Sequence, residues 1–267
     1  MTSTKQIEIV LIDAFTSISF KGNPAAVCLM DQPGDEDWMK KIAREMNLSE
    51  TAFLYPFEGG YHLRWLTPTS EVDLCGHGTL ATAHMLYEDG HEPADRPIKF
   101  KTRVGWVSAT KEDDYIILNF PVNTPEEIKA PPDLLDALGT EASYVGVYPK
   151  SYLVELESDS IVRGLKPNLT ALEKLDRPKV CVTAYDSSGV ADFVSRLFAP
   201  AIGIPEDPVN GNSHTALTPY WSAKLGKETL ISHYVSERGG EIKVKLDPNC
   251  VKISGKALTV SRSKIPY

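Results

Sequence analysis

The sequence predicts an α/β chain, rich in strands and poor in helices, built as two similar halves. Three observations predict it. Two short glycine-punctuated stretches, Asp73-Leu74-Cys75-Gly76-His77-Gly78-Thr79 and Glu206-Asp207-Pro208-Val209-Asn210-Gly211-Asn212-Ser213-His214, each lead into a helix-like run at corresponding places in the chain. Strand-like alternation or β-branched enrichment stands on both sides of each. Between them a polar, proline-bearing stretch opens with Pro121-Val122-Asn123-Thr124-Pro125-Glu126-Glu127 and runs to Pro132, reading as a linker. The halves are accordingly set at 1–122 and 123–267, with the closing residues as candidates for packing back on the first.

In the first half, strands are expected over 7–14, 25–30, 52–55, 62–66, 98–103, 105–110 and 114–120. A helix is expected over about 35–46. Asp35, Glu36 and Asp37 suit the positive end of its dipole, and Trp38, Ile42 and Met46 recur every four residues as a buried stripe. Leu80, Ala81, Ala83, Met85 and Leu86 then mark a second helical run from about Thr79 to Glu88, which Gly90 would end. Its apolar residues cover more than one face, as suits a helix with a sheet wrapped around it. In the second half, strands are expected near 152–158, 179–185, 233–237, 241–246, 250–253 and 257–260, with helices at about 187–197 and from about Ser213 to Lys224. Pro219 lies inside the last run, leaving open a kink or a later start. What repeats is the order: strands, a helix, a glycine loop introduced by an aspartate, a helix, more strands.

At 267 residues, 42% hydrophobic and 24% charged, the chain can bury one large or two medium cores. A net charge of −8 with no block of lysine or arginine argues against nucleic acid as a partner, because its phosphates would be repelled. The start, from Met1 to Gln6 and into Ile7-Glu8-Ile9-Val10-Leu11-Ile12, is too short and interrupted for a signal peptide or a membrane span. A cytoplasmic protein without a membrane partner is expected. Cys28, Cys75, Cys181 and Cys250 are widely scattered, with no Cys-x-x-Cys and no His/Cys cluster at ligand spacing. Neither a metal nor a disulfide framework is therefore expected, and Cys28 and Cys181 read as core residues in apolar strands.

The glycine stretches suggest the chemistry. Such a loop brings backbone N–H groups close to a carboxylate, and the dipole of the following helix favours negative charge there. Two loops facing each other would grip a small carboxylate substrate, with Cys75, Gly76, Gly78, Gly211, Asn212 and Ser213 as its contacts. Asn212, Ser213 and His214 also stand where helix N-caps are expected. His77, flanked by glycines that let a substrate approach its ring, is either a proton-exchanging group or a structural turn histidine. Cys75, at a helix N-terminus, is either an acid–base thiol or a small buried hydrophobe. Asp207 either accepts from a substrate amine or hydroxyl or caps its own loop. Glu50 stands where the chain becomes buried; it is either a carboxylate tuned by desolvation for acid–base work or an ordinary turn glutamate. Tyr220 and Trp221 either line the pocket or pack in the core.

The set formed by Asp13-Ala14-Phe15, Gly22-Asn23-Pro24-Ala25-Ala26-Val27, Asn47-Leu48-Ser49-Glu50 and the two glycine loops resembles, over the whole length and in the right order, the PhzF isomerases named for phenazine biosynthesis. The resemblance implies the fold of diaminopimelate epimerase: two similar domains, each a highly curved, mostly antiparallel sheet around a central helix, with the active site in the cleft between them. It also implies a homodimer and a reaction without metal or organic cofactor. The phenazine enzyme isomerises trans-2,3-dihydro-3-hydroxyanthranilate, its glutamate taking a proton from C3 and returning it to C1. Glu50 stands in the position of that glutamate, and His77 and Asp207 match the substrate-handling histidine and aspartate.

Two departures qualify the match. The family's serine after the second-loop glycine is replaced by Asn212, with Ser213 one position on, so the part passes to Asn212, shifts to Ser213, or is lost. Against diaminopimelate epimerase, Cys75 matches the first catalytic cysteine while Asn210 stands at the second, which excludes a two-thiol racemase because an amide cannot carry the proton. The expected function is a cofactor-independent isomerase of a small amino or hydroxy acid, with Glu50 as the shuttle. A non-catalytic metabolite-binding protein on the same scaffold and an epimerase using Cys75 stay open.

Overall fold

The computed structural model describes residues 6–267. They fall into two compact units, one running up to Asn119 and resuming with Ser254–Tyr267, the other spanning Phe120–Ile253. In chain order the first holds β1 (Gln6–Ala14), β2 (Asn23–Leu29), α1 (Glu36–Met46), β3 (Glu50–Phe57), β4 (Gly60–Leu66), β5 (Glu71–Val72), α2 (Gly76–Glu88), β6 (Ile98–Thr102), β7 (Gly105–Glu112) and β8 (Tyr115–Phe120). There follow β9 (Glu126–Glu127), α3 (Pro132–Leu138), β10 (Tyr144–Tyr148), β11 (Ser151–Glu155), α4 (Asp159–Gly164), α5 (Leu169–Leu172), β12 (Lys179–Tyr185) and β13 (Phe193–Ala199). The chain closes with β14 (Ile204–Asp207), α6 (His214–Leu225), β15 (Thr229–Tyr234), β16 (Gly240–Asp247), β17 (Cys250–Gly255) and β18 (Ala257–Pro266).

The two units share one plan of strand pairing. In the first, β1 pairs antiparallel with β18 and β2, β2 parallel with β3, β3 antiparallel with β4, β4 parallel with β6, and β6 antiparallel with β7. In the second, β10 pairs antiparallel with β11, β11 parallel with β12, β12 antiparallel with β13, β13 parallel with β15, and β15 antiparallel with β16. Parallel neighbours need a crossover, whereas antiparallel ones need only a hairpin. The helices supply those crossovers: α1 and α2 in the first unit, α4 with α5 and then α6 in the second. The repeat read from the order of elements is thus a repeat of topology.

The central helix of the first unit is α2, which packs against β1, β2, β3, β7 and β18. Its residues from Gly76 to Ala83 are all buried, so no polar face was needed in its sequence. Asp35 caps α1, accepting from the Trp38 N–H at 2.8 Å, and Asn47 ends it in the left-handed region at φ 50°. The buried face of α1 centres on Met39 and Ala43; Trp38, Ile42 and Met46, expected as the stripe, flank it partly buried. Cys28 and Cys181 are fully buried in strands, and burial pushes both thiols up to about 12.

One expectation in the second half is corrected. Residues 187–197 are not a helix. Asp186 accepts from the N–H groups of Ser188 and Ala191, fixing a turn, and Phe193–Ala199 continues as the buried strand β13. The proline stretch ends in a helix: Pro132 opens α3, where a missing N–H costs nothing, and Gly139 closes it in the left-handed region. Pro219, in contrast, does not interrupt α6. The carbonyl it leaves unused, that of Thr215, accepts from the Asn123 N–H at 3.0 Å, and the Asn123 amide donates to the Thr215 hydroxyl at 3.0 Å. Trp221 on α6 is core, stacked on Phe193 and donating to the Thr183 hydroxyl at 3.0 Å, while Tyr220 donates to the buried Glu155 at 2.6 Å.

Candidate active site

Three chain starts meet in the first unit. Glu50 opens β3, Asn23 opens the parallel neighbour β2, and Ala25 stands beside Glu50 in the ladder. Asn23 is delivered by a tight loop. Asp13 accepts from the Phe20 N–H at 2.8 Å, and Gly22 turns at φ 68°, where a side chain would collide with the Ala14 carbonyl oxygen. The third start is α2. The first glycine stretch is not a loop before the helix but its first turn, with Cys75 as the N-cap whose sulfur accepts from the Gly78 N–H at 3.3 Å. Gly78 has to be glycine: a Cβ there would lie 2.7 Å from Trp65 Cδ1 and 3.0 Å from Cys75 Sγ.

These starts place a carboxylate, an imidazole and a thiol in contact. His77 Nε2 is 3.2 Å from Glu50 Oε2, and Cys75 Sγ is 3.6 Å from His77 Nδ1 and 3.9 Å from Nε2. The Asn23 amide nitrogen lies 3.2 Å from His77 Nδ1, and the Ser49 hydroxyl 3.4 Å from Nε2. The ring is therefore addressed at both nitrogens. His77 and Cys75 are buried, and the Glu50 side chain keeps 12% of its surface exposed, which leaves it the open end of the group.

Burial alone would lower the His77 pKa, but the negative charges of Cys75 and Glu50 reverse this and hold it well above the ordinary histidine value. The Cys75 thiol is raised by burial and by the Glu50 carboxylate, which outweigh His77 and the Gly78 N–H. Cys75 and Glu50 thus both favour the protonated ring of His77. Such a trio can pass a proton between carboxylate and ring. One polar atom of each member lies within 4.8 Å of the other two, a closeness that no linear spacing announced.

The second glycine stretch forms its own buried network in the second unit. Asp207, at the end of β14, accepts from the Asn210 amide at 2.8 Å; the Asn210 side-chain oxygen accepts from the Ser213 N–H at 2.7 Å, and its carbonyl from the Ser213 hydroxyl at 2.8 Å. Asn210, which stands where a second cysteine would be, is thus the tie of this loop. Ser213 is fully buried in those bonds, whereas Asn212 is only partly buried. His214 is core: its ring contacts the Asn210 carbonyl at 3.0 Å and the Ser232 hydroxyl at 2.9 Å, and burial lowers it to about 4. Glu206 pairs with Arg196 through two bonds of 2.7 and 2.9 Å.

Sequence reasoning passed over Asn23, Ser49 and Trp65. The first two lie inside the stretches that carry the family resemblance, so their placement in those motifs was the available signal. Trp65 was hidden in an ordinary apolar strand; its buried indole N–H has no hydrogen-bond partner among the described residues.

A family model described as "Phenazine biosynthesis-like protein" matches residues 12–263. An uncharacterized isomerase of Halalkalibacterium halodurans is 46% identical over 258 residues, covering 96% of this chain and 97% of that one. The crystal structure of a PhzF family protein from Enterococcus faecalis superposes with a TM-score of 0.94 at 38% identity, covering 98% of this chain and 100% of that one. A predicted epimerase from Pseudomonas aeruginosa, 18% identical with a TM-score of 0.76 over 97% of this chain and 99% of its own, shares the fold alone.

Proposed function

This chain belongs to the phenazine biosynthesis-like (PhzC-PhzF) family, and from that premise we propose that it is an isomerase, independent of metal and organic cofactor, that moves a proton between carbons of a small amino or hydroxy acid. The observation that carries the reading is the 3.2 Å contact between His77 Nε2 and Glu50 Oε2 at the start of a buried helix. Glu50 takes the proton from an acidic C–H on one side of the substrate and returns it to another carbon. His77, cationic beside it, stabilises the carboxylate between transfers and the charge that develops on the substrate. The N–H groups of Gly76 and His77, the first two of α2, have no partner within the helix by its geometry and suit a substrate carboxylate. Asp207, with Gly211 and Asn212, is assigned to the substrate's amine or hydroxyl group.

The relatives named isomerases support this class of reaction, and their names give no substrate. The test is incubation with a panel of cyclic and linear amino and hydroxy acids in D₂O, followed by NMR. Deuterium entering at carbon supports the isomerase. Binding of a panel member without any exchange replaces it by a metabolite-binding role. The thiol of Cys75, within 4 Å of the His77 ring, favours one second reading: an epimerase in which Cys75 and Glu50 form a mixed proton-handling pair. Inactivation by iodoacetamide at Cys75, with protection by substrate, would mark that chemistry.

A further inference from the structure

We propose that Asn23 is the positioning residue that lets His77 change charge in place: its amide turns end for end as the ring gains or loses a proton, with the Ser49 hydroxyl closing the relay. The relay stands on hydrogen-bond geometry; its use in turnover rests on the isomerase reading above. The Asn23 amide nitrogen lies 3.2 Å from His77 Nδ1, and the Ser49 hydroxyl donates to the Asn23 side-chain oxygen at 3.4 Å. An amide nitrogen only donates, so Nδ1 accepts. That arrangement fits the neutral ring, with its proton on Nε2 facing Glu50 Oε2 at 3.2 Å. The charges around the ring favour the other state. Glu50 at the start of β3 and Cys75 at the cap of α2 are the titratable groups that face it, and both favour protonation, which the positive end of α2 opposes.

A protonated ring carries N–H at both nitrogens, and its Nδ1–H would meet the amide donor head on. Asn23 is fully buried, so solvent cannot relieve two opposed donors. A half-turn of the amide does. Its oxygen then faces Nδ1–H, and its NH₂ group faces Ser49 Oγ, which changes from donor to acceptor. Only groups that both donate and accept can serve the two states, and an amide and a hydroxyl are such groups. The backbone of Asn23 is held meanwhile by the Gly22 turn at φ 68° and by its place opposite Ala14 in the ladder, which leaves the terminal torsion to choose. The neutral side chain adds no charge to the balance. That suits a ring which exchanges a proton with Glu50 and stays where it is.

The test is ¹⁵N NMR on the full chain, labelled in histidine and asparagine and without substrate. Above the midpoint of the His77 titration, a coupling through the hydrogen bond should join Asn23 Nδ2 to His77 Nδ1. Below it the coupling should vanish, and the Asn23 amide protons should shift with the same midpoint. A coupling absent at every pH, or amide protons indifferent to the ring, overturns the relay. Asn23→Asp, an acceptor of the same size, should raise the His77 midpoint by about one unit or more. Asn23→Leu strands the Nδ1–H of a cation, which costs more than stranding a lone pair, and should lower the midpoint. Shifts of one sign in both variants, or none, contradict the proposal; circular dichroism checks folding, and the unaltered chain decides alone where a variant does not fold. In deuterium exchange, Asn23→Leu should lower kcat about tenfold or more with little change in KM. A raised KM at unchanged kcat would make Asn23 a substrate ligand instead. Relay signals in a chain that exchanges no substrate would sink the isomerase reading and leave the relay standing.

Discussion

His77 Nε2 lies 3.2 Å from Glu50 Oε2, joining the second residue of α2 to the first residue of β3. Both side chains spring from the rigid starts of regular elements rather than from loops, so the distance is held by the packing of α2 against β3. That fixes where a shared proton can go, and it makes the pair sensitive to anything that tilts the helix.

Glu50→Gln keeps the shape of the side chain and removes its basicity. Solvent-deuterium incorporation into a substrate should fall by about two to four orders of magnitude. Affinity for a carboxylate ligand, followed by calorimetry, should stay within about tenfold. Undiminished exchange would remove Glu50 from the proton path.

Gly78→Ala puts a methyl group against Trp65 Cδ1 and Cys75 Sγ at 2.7 and 3.0 Å. Both neighbours are buried, so neither can swing into solvent. Overpacking of this kind should lower stability by about 1–3 kcal/mol, read as a shift of the urea midpoint at unchanged slope. An unshifted midpoint would show that α2 has room to move.

Asn210→Ala leaves Asp207 without its 2.8 Å donor and the Ser213 N–H without its acceptor. The loss of these two bonds should cost roughly 1–3 kcal/mol. Asn210→Asp sets a second carboxylate against Asp207, so its cost should be larger at neutral pH than in mild acid, where one of the pair is protonated. Equal costs at both pH values would contradict that placement.

His214 gives a pH dependence with a definite sign. Burial holds its folded pKa at about 4, below the ordinary 6.5. As pH falls below the unfolded value, the unfolded chain takes up a proton that the folded chain refuses, so stability declines from about pH 6.5 and the loss is complete near pH 4. The total is on the order of 3 kcal/mol. Subtracting the stability curve of His214→Gln should isolate that decline, and a flat difference between the two would assign the acid sensitivity elsewhere.

Much of the first unit could be read directly. Alternating strands, the Asp35 cap and the small, largely apolar run of α2 are local signals, and local signals survive in one dimension. The second unit was harder because its strands β11, β12 and β13 are buried on both sides. Phe193–Ala199 carries the apolar density of a helix, and only the Asp186 turn and the pairing with β12 and β15 make it β13. Pro219 marked a break that a partner distant in sequence, Asn123, removes by taking up the free Thr215 carbonyl.

The candidate site divides in the same way. The sequence by itself determined the family, the order of the two glycine stretches, and the choice of Glu50, Cys75, His77 and Asp207 as candidates for the chemistry, because motif and order are properties of the chain. Only the tertiary structure decided how they are used. It made the first glycine stretch a helical turn capped by sulfur, made Asn210 the tie of the second loop, and buried His214 as a core histidine. The contact of Glu50, Cys75 and His77 is likewise tertiary. Two of its members lie two residues apart, but the third arrives through the parallel pairing of β2 with β3 and the packing of α2 against both, which no local spacing encodes.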